Sequence, residues 1–274
     1  MPEGDSVHRA ARRMSTALVG HTITGSDFRV PRHATESLAG QTVTGFVARG
    51  KHMLLRTDGG WTVHTHFRMQ GSWTVLGPGR RLPRARADGA RLLLALGDGR
   101  TAVALDMPVL DLLRTRDEPA VVGHLGPDLL IPPGEPGGWD ETEACRRLAT
   151  QPDRPVVAAV LDQRNLAGVG NLWAVESLFL RGVFPWTPVS AVDLTGWTRL
   201  ARRMLAHGLA NPGMVTTGDT RPERSHWVYG RYARPCLRCA TPVAFRPPAG
   251  ARPGDERETW WCPACQPSRP AGRG

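Results

Sequence analysis

QTVTGFVARGKHMLLRTDGGWTVHTHFRMQGSWTVL, residues 41–76, decides the fold class. Its runs QTVTGFVA, HMLLRT and WTVHTHFRMQGSWTVL are rich in β-branched and aromatic residues, and Gly and Asp-Gly turn signals separate them. The pattern continues through ARLLLALGDG and TAVALDM to about Val122, so a β-sandwich or barrel is expected from about residue 21 to 122. Within it GPGRRLPRARADGAR, from Gly77 to Arg91, reads as a basic loop or a wide hairpin. Upstream, Val7, Ala10, Ala11, Met14, Ala17 and Leu18 recur at helical spacing. They predict one helix from Ser6 to Leu18, with Asp5 or Ser6 as N-cap and Gly20 as terminator.

Downstream the character changes. HLGPDLLIPPGEPGG is dense in Pro and Gly and marks a linker over residues 124–138, which separates an N-terminal domain, 1–123, from the C-terminal half. Helices are expected at Asp140–Ala149, Pro155–Asp162, Asn171–Arg181 and Leu194–Ala210, within a helical domain spanning 139–230. Its last stretch, Asn211 to His226, is polar and reads as mobile. A cysteine module occupies 231–266, and 267–274 reads as a disordered tail. The fold class is α+β and multidomain.

Composition bounds the function. At 274 residues the chain can bury a core without a disulfide scaffold, and Gly 31 with Pro 24 favours short elements and turns over a long helical bundle. Lys+Arg 35 against Asp+Glu 25 leaves +10, spread along the chain, which favours a polyanionic nucleic acid over a membrane surface. No apolar run is long enough for a membrane span, and charges in the first turns exclude a signal peptide, so a cytoplasmic protein is expected. Of the 35 basic residues 34 are Arg, and Lys51 is the single lysine. Composition drift explains the arginines. It leaves open whether Lys51 survives because an ammonium can lose and regain a proton, as guanidinium cannot.

Four of the five cysteines form CLRC (Cys236, Cys239) and CPAC (Cys262, Cys265). Two CxxC turns can complete a tetrahedral Zn²⁺ site with no open position, hence a structural one, while two redox pairs are the competing reading. TPVAFR and ETWWC read as hairpin arms, with PPAGARPGDER at the tip. Gly168 and Gly170 precede Asn171, and helix-start N–H groups beside an Asn amide suit a phosphate, although a plain N-cap has the same appearance. His64 and His66 share a strand face and fit either packing or metal ligation. If Met1 is removed, Pro2 presents a secondary amine with a pKa of about 7.7 to 8. Such an amine adds to an aldehyde-level carbon and forms an iminium, with Glu3 placed to pass protons; an ordinary acidic helix start would look the same.

MPEGD, GKHMLL around Lys51, HFRMQGSW, HLGPD, GVGNLWAVESLF, VYGR and the CxxC pairs occur in one order from Pro2 to Cys265. That series resembles the formamidopyrimidine-DNA glycosylase and endonuclease VIII family. The resemblance implies an N-terminal helix and β-sandwich, a helix, two-turn, helix domain and a four-cysteine zinc finger hairpin, with DNA in the cleft between. It implies a bifunctional DNA glycosylase and AP lyase of base excision repair, monomeric, with damaged DNA as partner and one structural Zn²⁺. Pro2 would attack C1′ of the damaged nucleotide, Glu3 would protonate the departing base or opened sugar, and Lys51 would be the proton donor for β-elimination. Arg257 would grip phosphate and serve δ-elimination. Gly170, Asn171 and Arg231 would contact DNA, and Arg68, Met69 and Gln70 would fill the space left by a flipped base.

Two departures refine the resemblance. LDMPVLDLL, residues 105–113, stands where the purine-specialised branch carries Asp-Pro-Arg-Arg-Phe-Gly, and Ser6 replaces the usual glutamate. Both place the chain nearer the endonuclease VIII side, which favours oxidised pyrimidines. The alternative is a non-catalytic or lyase-only protein of the same fold that binds damaged DNA, and the joint presence of Pro2, Glu3 and Lys51 speaks against it.

Overall fold

A computed structural model describes residues 2–249 and 257–268. The chain divides into two units, Met1–His124 and Leu125–Gly274.

The first unit opens with α1 (Gly4–Leu18). This helix begins two residues before the expected Ser6, and its N-cap is Glu3, not Asp5 or Ser6. Ser6 is the cause: its hydroxyl accepts the Glu3 N–H at 2.9 Å and donates to the Glu3 carbonyl at 2.9 Å, so the first turn closes around it. Eight strands succeed it, β1 (Ile23–Phe28), β2 (Val43–Arg49), β3 (His52–Thr57), β4 (Trp61–His66), β5 (Ser72–Leu76), β6 (Ala90–Leu96), β7 (Thr101–Leu105) and β8 (Val109–Arg114). They form two antiparallel sheets, β1-β6-β7-β5 and β2-β3-β4-β8. Alternate residues such as Leu92, Leu94 and Leu96 face a shared core with Met53, Leu55, Val63 and Trp73, closed at one side by Val7, Ala11, Met14 and Leu18 of α1. The basic stretch 77–91 is a connection carrying the single-turn helix α2 (Arg84–Ala87), not a hairpin, since β5 and β6 both pair with β7. A second single-turn helix, α3 (Pro119–Val122), ends the unit.

The second unit holds α4 (Glu141–Leu148), α5 (Val156–Leu161), α6 (Asn171–Leu180) and α7 (Leu194–Ala210). Its α6 is apolar nearly all round because it is central: Asn171 to Phe179 are all buried, between α5, α7 and the cysteine hairpin. That hairpin pairs β9 (Ala244–Arg246) with β10 (Thr259–Trp261), and its Trp260 and Cys262 pack with Val175 and Phe179 of α6. The tip, 250–256, and most of the tail, 269–274, lie outside the described residues. The Pro-Gly stretch 124–138 is no loose tether. Its Gly126 N–H donates to the Gln163 carbonyl at 2.8 Å, its Pro127 carbonyl accepts from Ala167 at 2.9 Å, and Leu129 is in the helical core. Among the described residues no helix is long and apolar enough to cross a membrane.

Candidate active site

Pro2 is half-buried immediately before α1, and Glu3, at the helix N-cap, is 1% exposed. A carboxylate there sits at the positive end of the helix dipole. The helix packs on β2 and β3, and these strands are joined by the two-residue turn Gly50–Lys51, closed by the pair Arg49 and His52. Gly50 has φ 59°, the left-handed conformation that such a turn demands of its first residue and that glycine adopts without strain. The local sequence thus places Lys51 at the tip of the hairpin on which the N-terminal helix rests.

Next to Lys51 lies a group of four histidines. His52 Nδ1 and His64 Nε2 are 2.8 Å apart, the two rings stack, and His52 also meets His66 and His124 edge to face. Burial, then the neighbouring His66, His64 and His124, pushes His52 down to about 3. Burial, then Arg68 and Lys51, pushes His66 down to about 4. Burial also lowers His64, against the opposing pull of Asp111, whose carboxylate is 3.7 Å away. His52, His64 and His66 are therefore neutral at pH 7, and His52 and His64 bond to one another. His66 Nδ1 accepts the backbone N–H of Arg68 at 3.0 Å, at the start of the turn that exposes Arg68, Met69 and Gln70. Met69, 61% exposed, is one of few large apolar side chains on the surface. Arg68 itself has φ 51°, a conformation that non-glycine residues rarely adopt.

In the second unit the N-cap of α6 is Gly170, and Asn171 is the first helical residue instead of the cap. Its amide donates to the Glu258 carbonyl at 2.8 Å, which ties the helix start to the residue beside Arg257. Arg257 is exposed, just before β10. Arg231 does not behave as expected for a DNA contact. It is 7% exposed, and its guanidinium donates to the carbonyls of Glu223 and Pro235, so it holds the backbone of the loop and has no free face for phosphate. Sequence reasoning missed its counterpart, Glu176. That carboxylate, fully buried on α6, accepts N–H groups of Trp227, Val228 and Tyr229 at 2.8 to 2.9 Å and the Thr216 hydroxyl. The signal is the one charged residue in a mostly apolar helix, and the 211–226 stretch expected to be mobile is pinned through it.

The four thiols of Cys236, Cys239, Cys262 and Cys265 lie within 4.8 Å of one another, close enough to surround one metal ion. Hydrogen bonding from Thr241 pulls Cys239 down to about 6, while burial pushes Cys262 and Cys265 up. Four sulfurs gathered on two tight turns suit a cation that would hold them all as thiolates. The fifth cysteine, Cys145, is half-buried with Sγ 3.8 Å from the Thr198 hydroxyl.

Residues 1–108 match the family model for the formamidopyrimidine-DNA glycosylase N-terminal domain. A Streptomyces coelicolor protein named "Probable endonuclease 8 2" is 48% identical over 282 aligned residues, covering 100% of this chain and 98% of that protein. The chain belongs to the formamidopyrimidine-DNA glycosylase and endonuclease 8 family. Within that family a Mycolicibacterium smegmatis protein named DNA-(apurinic or apyrimidinic site) lyase Nei2 is 40% identical, across 97% of this chain and 99% of its own length. The family fold is shared with the MutM (Fpg) protein of Thermus thermophilus, at TM-score 0.75 and 29% identity over 98% of this chain and 100% of that one. It is shared too with Lactococcus lactis Fpg, solved in complex with DNA containing an abasic site, at TM-score 0.78 and 20% identity over 97% of this chain and 100% of that one.

Proposed function

We propose that this family member is a bifunctional DNA glycosylase and AP lyase of base excision repair, acting on damaged DNA and removing oxidised pyrimidines. The observation that carries the reading is the N-terminus: Pro2, whose nitrogen becomes a secondary amine once Met1 is removed, stands directly before a helix whose capping residue, Glu3, is 1% exposed and which packs on the hairpin that carries Lys51. A carboxyl group on the residue next to the attacking nitrogen is placed to pass protons.

In this reading, with Met1 removed, the Pro2 nitrogen lone pair attacks C1′ of the damaged nucleotide. The C1′–N bond breaks, and Glu3 delivers a proton to the departing base or to the ring oxygen of the opening sugar. The resulting iminium between Pro2 and C1′ is an electron sink, so the C2′ proton passes to solvent and the electron pair it leaves expels the phosphate by breaking the C3′–O bond; Lys51 is the proton donor in this elimination. A second elimination breaks the C5′–O bond, with Arg257 on the phosphate, and water then releases Pro2. Arg68, Met69 and Gln70 occupy the duplex where the base has left, and Gly170 and Asn171 hold a backbone phosphate through N–H groups at the start of α6. The preference for pyrimidines rests on LDMPVLDLL at 105–113 and on the relatives named endonuclease 8.

Cys236, Cys239, Cys262 and Cys265 would hold one Zn²⁺, whose role is to fix the hairpin that presents Arg257. The decisive experiment is borohydride trapping. The processed protein, incubated with abasic-site DNA and borohydride, is expected to form a stable cross-link that peptide mapping assigns to Pro2. A cross-link at another residue, or equal trapping by a form that retains Met1, would remove the nucleophile assignment.

A further inference from the structure

The connection from β5 to β6 carries four arginines in seven residues, Arg80, Arg81, Arg84 and Arg86, and the chemistry above uses none of them. All four are exposed, and none pairs with a carboxylate among the described residues. Like charges set so closely repel one another and add nothing to the fold. The backbone that presents them is nevertheless held in place. Leu82 packs with Leu76 and Leu93 against Ala90, Val103 and Leu105, on the face of the sheet turned away from the main core. The Arg80 N–H donates to the Gly77 carbonyl at 3.0 Å, the Arg86 N–H to the Pro83 carbonyl at 2.9 Å and the Arg29 guanidinium to the Ala87 carbonyl at 3.4 Å. At the end of the connection the Gly89 carbonyl accepts the Asp106 N–H at 2.7 Å. Asp106 leads to Met107, and a Cβ at Gly71, directly after the Arg68–Gln70 turn, would come within 2.9 Å of the Met107 sulfur. The arginine connection is therefore rooted beside that turn.

We propose that this connection is a second DNA contact, gripping backbone phosphates of the duplex on one side of the lesion. The proposal rests on the reading that the Arg68–Gln70 turn enters the duplex at the lesion. Arg86 is three residues before Gly89, so with chain and side chain together the guanidinium groups reach roughly 10 to 20 Å from the root. At about 3.4 Å per base pair this is about three to six pairs along one arm. A protein partner fits less well, because interfaces between proteins centre on apolar or aromatic anchors. Among the described residues the exposed large apolar side chains are Val19, Val47, Met69 and Tyr232, none of them in this connection, and its one large apolar residue, Leu82, packs inward. Guanidinium groups without such an anchor suit phosphate oxygens, which they meet through paired parallel hydrogen bonds. Contacts of that kind position a duplex and read no sequence. The connection thus sets how much DNA beyond the lesion the protein holds, not which base it removes.

The experiment uses duplexes with a tetrahydrofuran abasic analogue between two arms of about ten base pairs, each arm trimmed separately to about three, and follows binding across salt concentrations. The protein is compared with a variant carrying Arg80→Gln, Arg81→Gln, Arg84→Gln and Arg86→Gln, and borohydride trapping on natural abasic-site DNA runs alongside. On the untrimmed duplex the slope of log K against log salt should become shallower by about 0.9 for each arginine that meets a phosphate, about 2 or more for the four, with affinity at low salt falling about 10²-fold. Arg84→Gln with Arg86→Gln should give about half of that change. Trimming one arm should bring the unaltered protein to the level of the variant, and trimming the other should leave the gap between them as it was. The unfolding midpoint should not fall. Equal slopes on the untrimmed duplex, with trapping intact, overturn the proposal, leave the lyase reading standing and assign the arginines to an acidic protein. A gap that survives the trimming of each arm, or closes with both, overturns it too, since neither marks a contact on one side. Failure of the unaltered protein to bind and to trap removes the lyase reading, and the proposal with it.

Discussion

The two units bury charge for different reasons. In the first, a sheet ladder satisfies the backbone, and buried polar side chains bond to one another: Arg56 reaches Glu118 through two hydrogen bonds, 2.8 and 2.6 Å, which Thr62 joins at 2.7 Å, and His52 bonds to His64. In the second, the long irregular run from 211 to 243 has few ladder bonds, and charged side chains serve its backbone directly. Glu176 collects three N–H groups and Arg231 two carbonyls. Glu118 in the sheet unit is tied to side chains and Glu176 in the helical unit to backbone donors, so both are framework, whereas Glu3, at the start of α1, is the acid that the proposed mechanism uses. Substitutions in the proposed active site and in the buried framework should accordingly fail in different ways, the first in rate and the second in stability.

The largest contrast is expected at Lys51. Lys51→Arg keeps the positive charge, and Gly50 continues to set the turn, so folding and attraction to phosphate should persist. Guanidinium does not readily surrender a proton, and cleavage of abasic DNA in single-turnover assays should slow by about 10² to 10⁴-fold, the range for loss of a general acid or base. Affinity for tetrahydrofuran DNA should change far less. An unchanged cleavage rate would make the single lysine a matter of composition and end the idea that charge in this unit serves chemistry.

At Glu176 the opposite outcome is expected. Glu176→Ala strands three backbone donors in the interior, and removing one member of a buried charged network costs about 3 to 5 kcal/mol. Urea unfolding should show that loss. Glu176→Gln, which keeps one acceptor oxygen, should recover part of it. A loss below about 1 kcal/mol would mean that the 211–243 run is held by its apolar contacts with α6 instead.

The legibility of the sequence divides along the same line. Alternation and turn residues placed the strands of the first unit, and two CxxC turns placed the cysteine site, because these signals are local. So was the Gly50–Lys51 turn. What escaped depends on partners that no local pattern names. Arg231 was read as a DNA contact because sequence does not distinguish an exposed guanidinium from one closed over carbonyls eight residues upstream and four downstream. Glu176 looks like any helical acid until its three donors, more than fifty residues on, are brought to it. The start of α1 failed at shorter range: Ser6 reads as a cap, but as a third-position hydroxyl it serves Glu3.

The histidines give the sheet unit a pH signature of its own. His52 and His66, at about 3 and about 4 in the folded protein, stand below the ordinary histidine value near 6.5. The folded state keeps them neutral while the unfolded chain takes up protons, so their contribution is full above about pH 6.5 and falls as pH drops toward 4. Each should remove at most about 1.4 kcal/mol per pH unit within that window. Denaturation from pH 7 to pH 5 should show uptake of up to about two protons on unfolding, and His52→Asn should reduce it by about one. No change in slope would mean that His52 is already charged in the fold, contrary to its burial.

The smallest effect is expected at Arg257, where the helical unit's pattern should be broken. Unlike Arg231 it is exposed, and the Asn171 amide fixes the backbone beside it through the Glu258 carbonyl. Arg257→Ala should therefore leave both the metal content of the four-cysteine site and the unfolding midpoint unchanged, since among the described residues no fold contact depends on its guanidinium. One phosphate contact fewer releases about one counterion fewer, so the slope of log K against log salt should become shallower by about 0.9, with a loss of affinity on the order of tenfold at low salt. Arg231→Ala offers the inverse: a lower midpoint and, per folded molecule, an unaltered slope. If the two slopes respond alike, exposure does not separate arginines that meet DNA from arginines that hold the fold, and the distinction between the units fails at the residue where it is most directly measured.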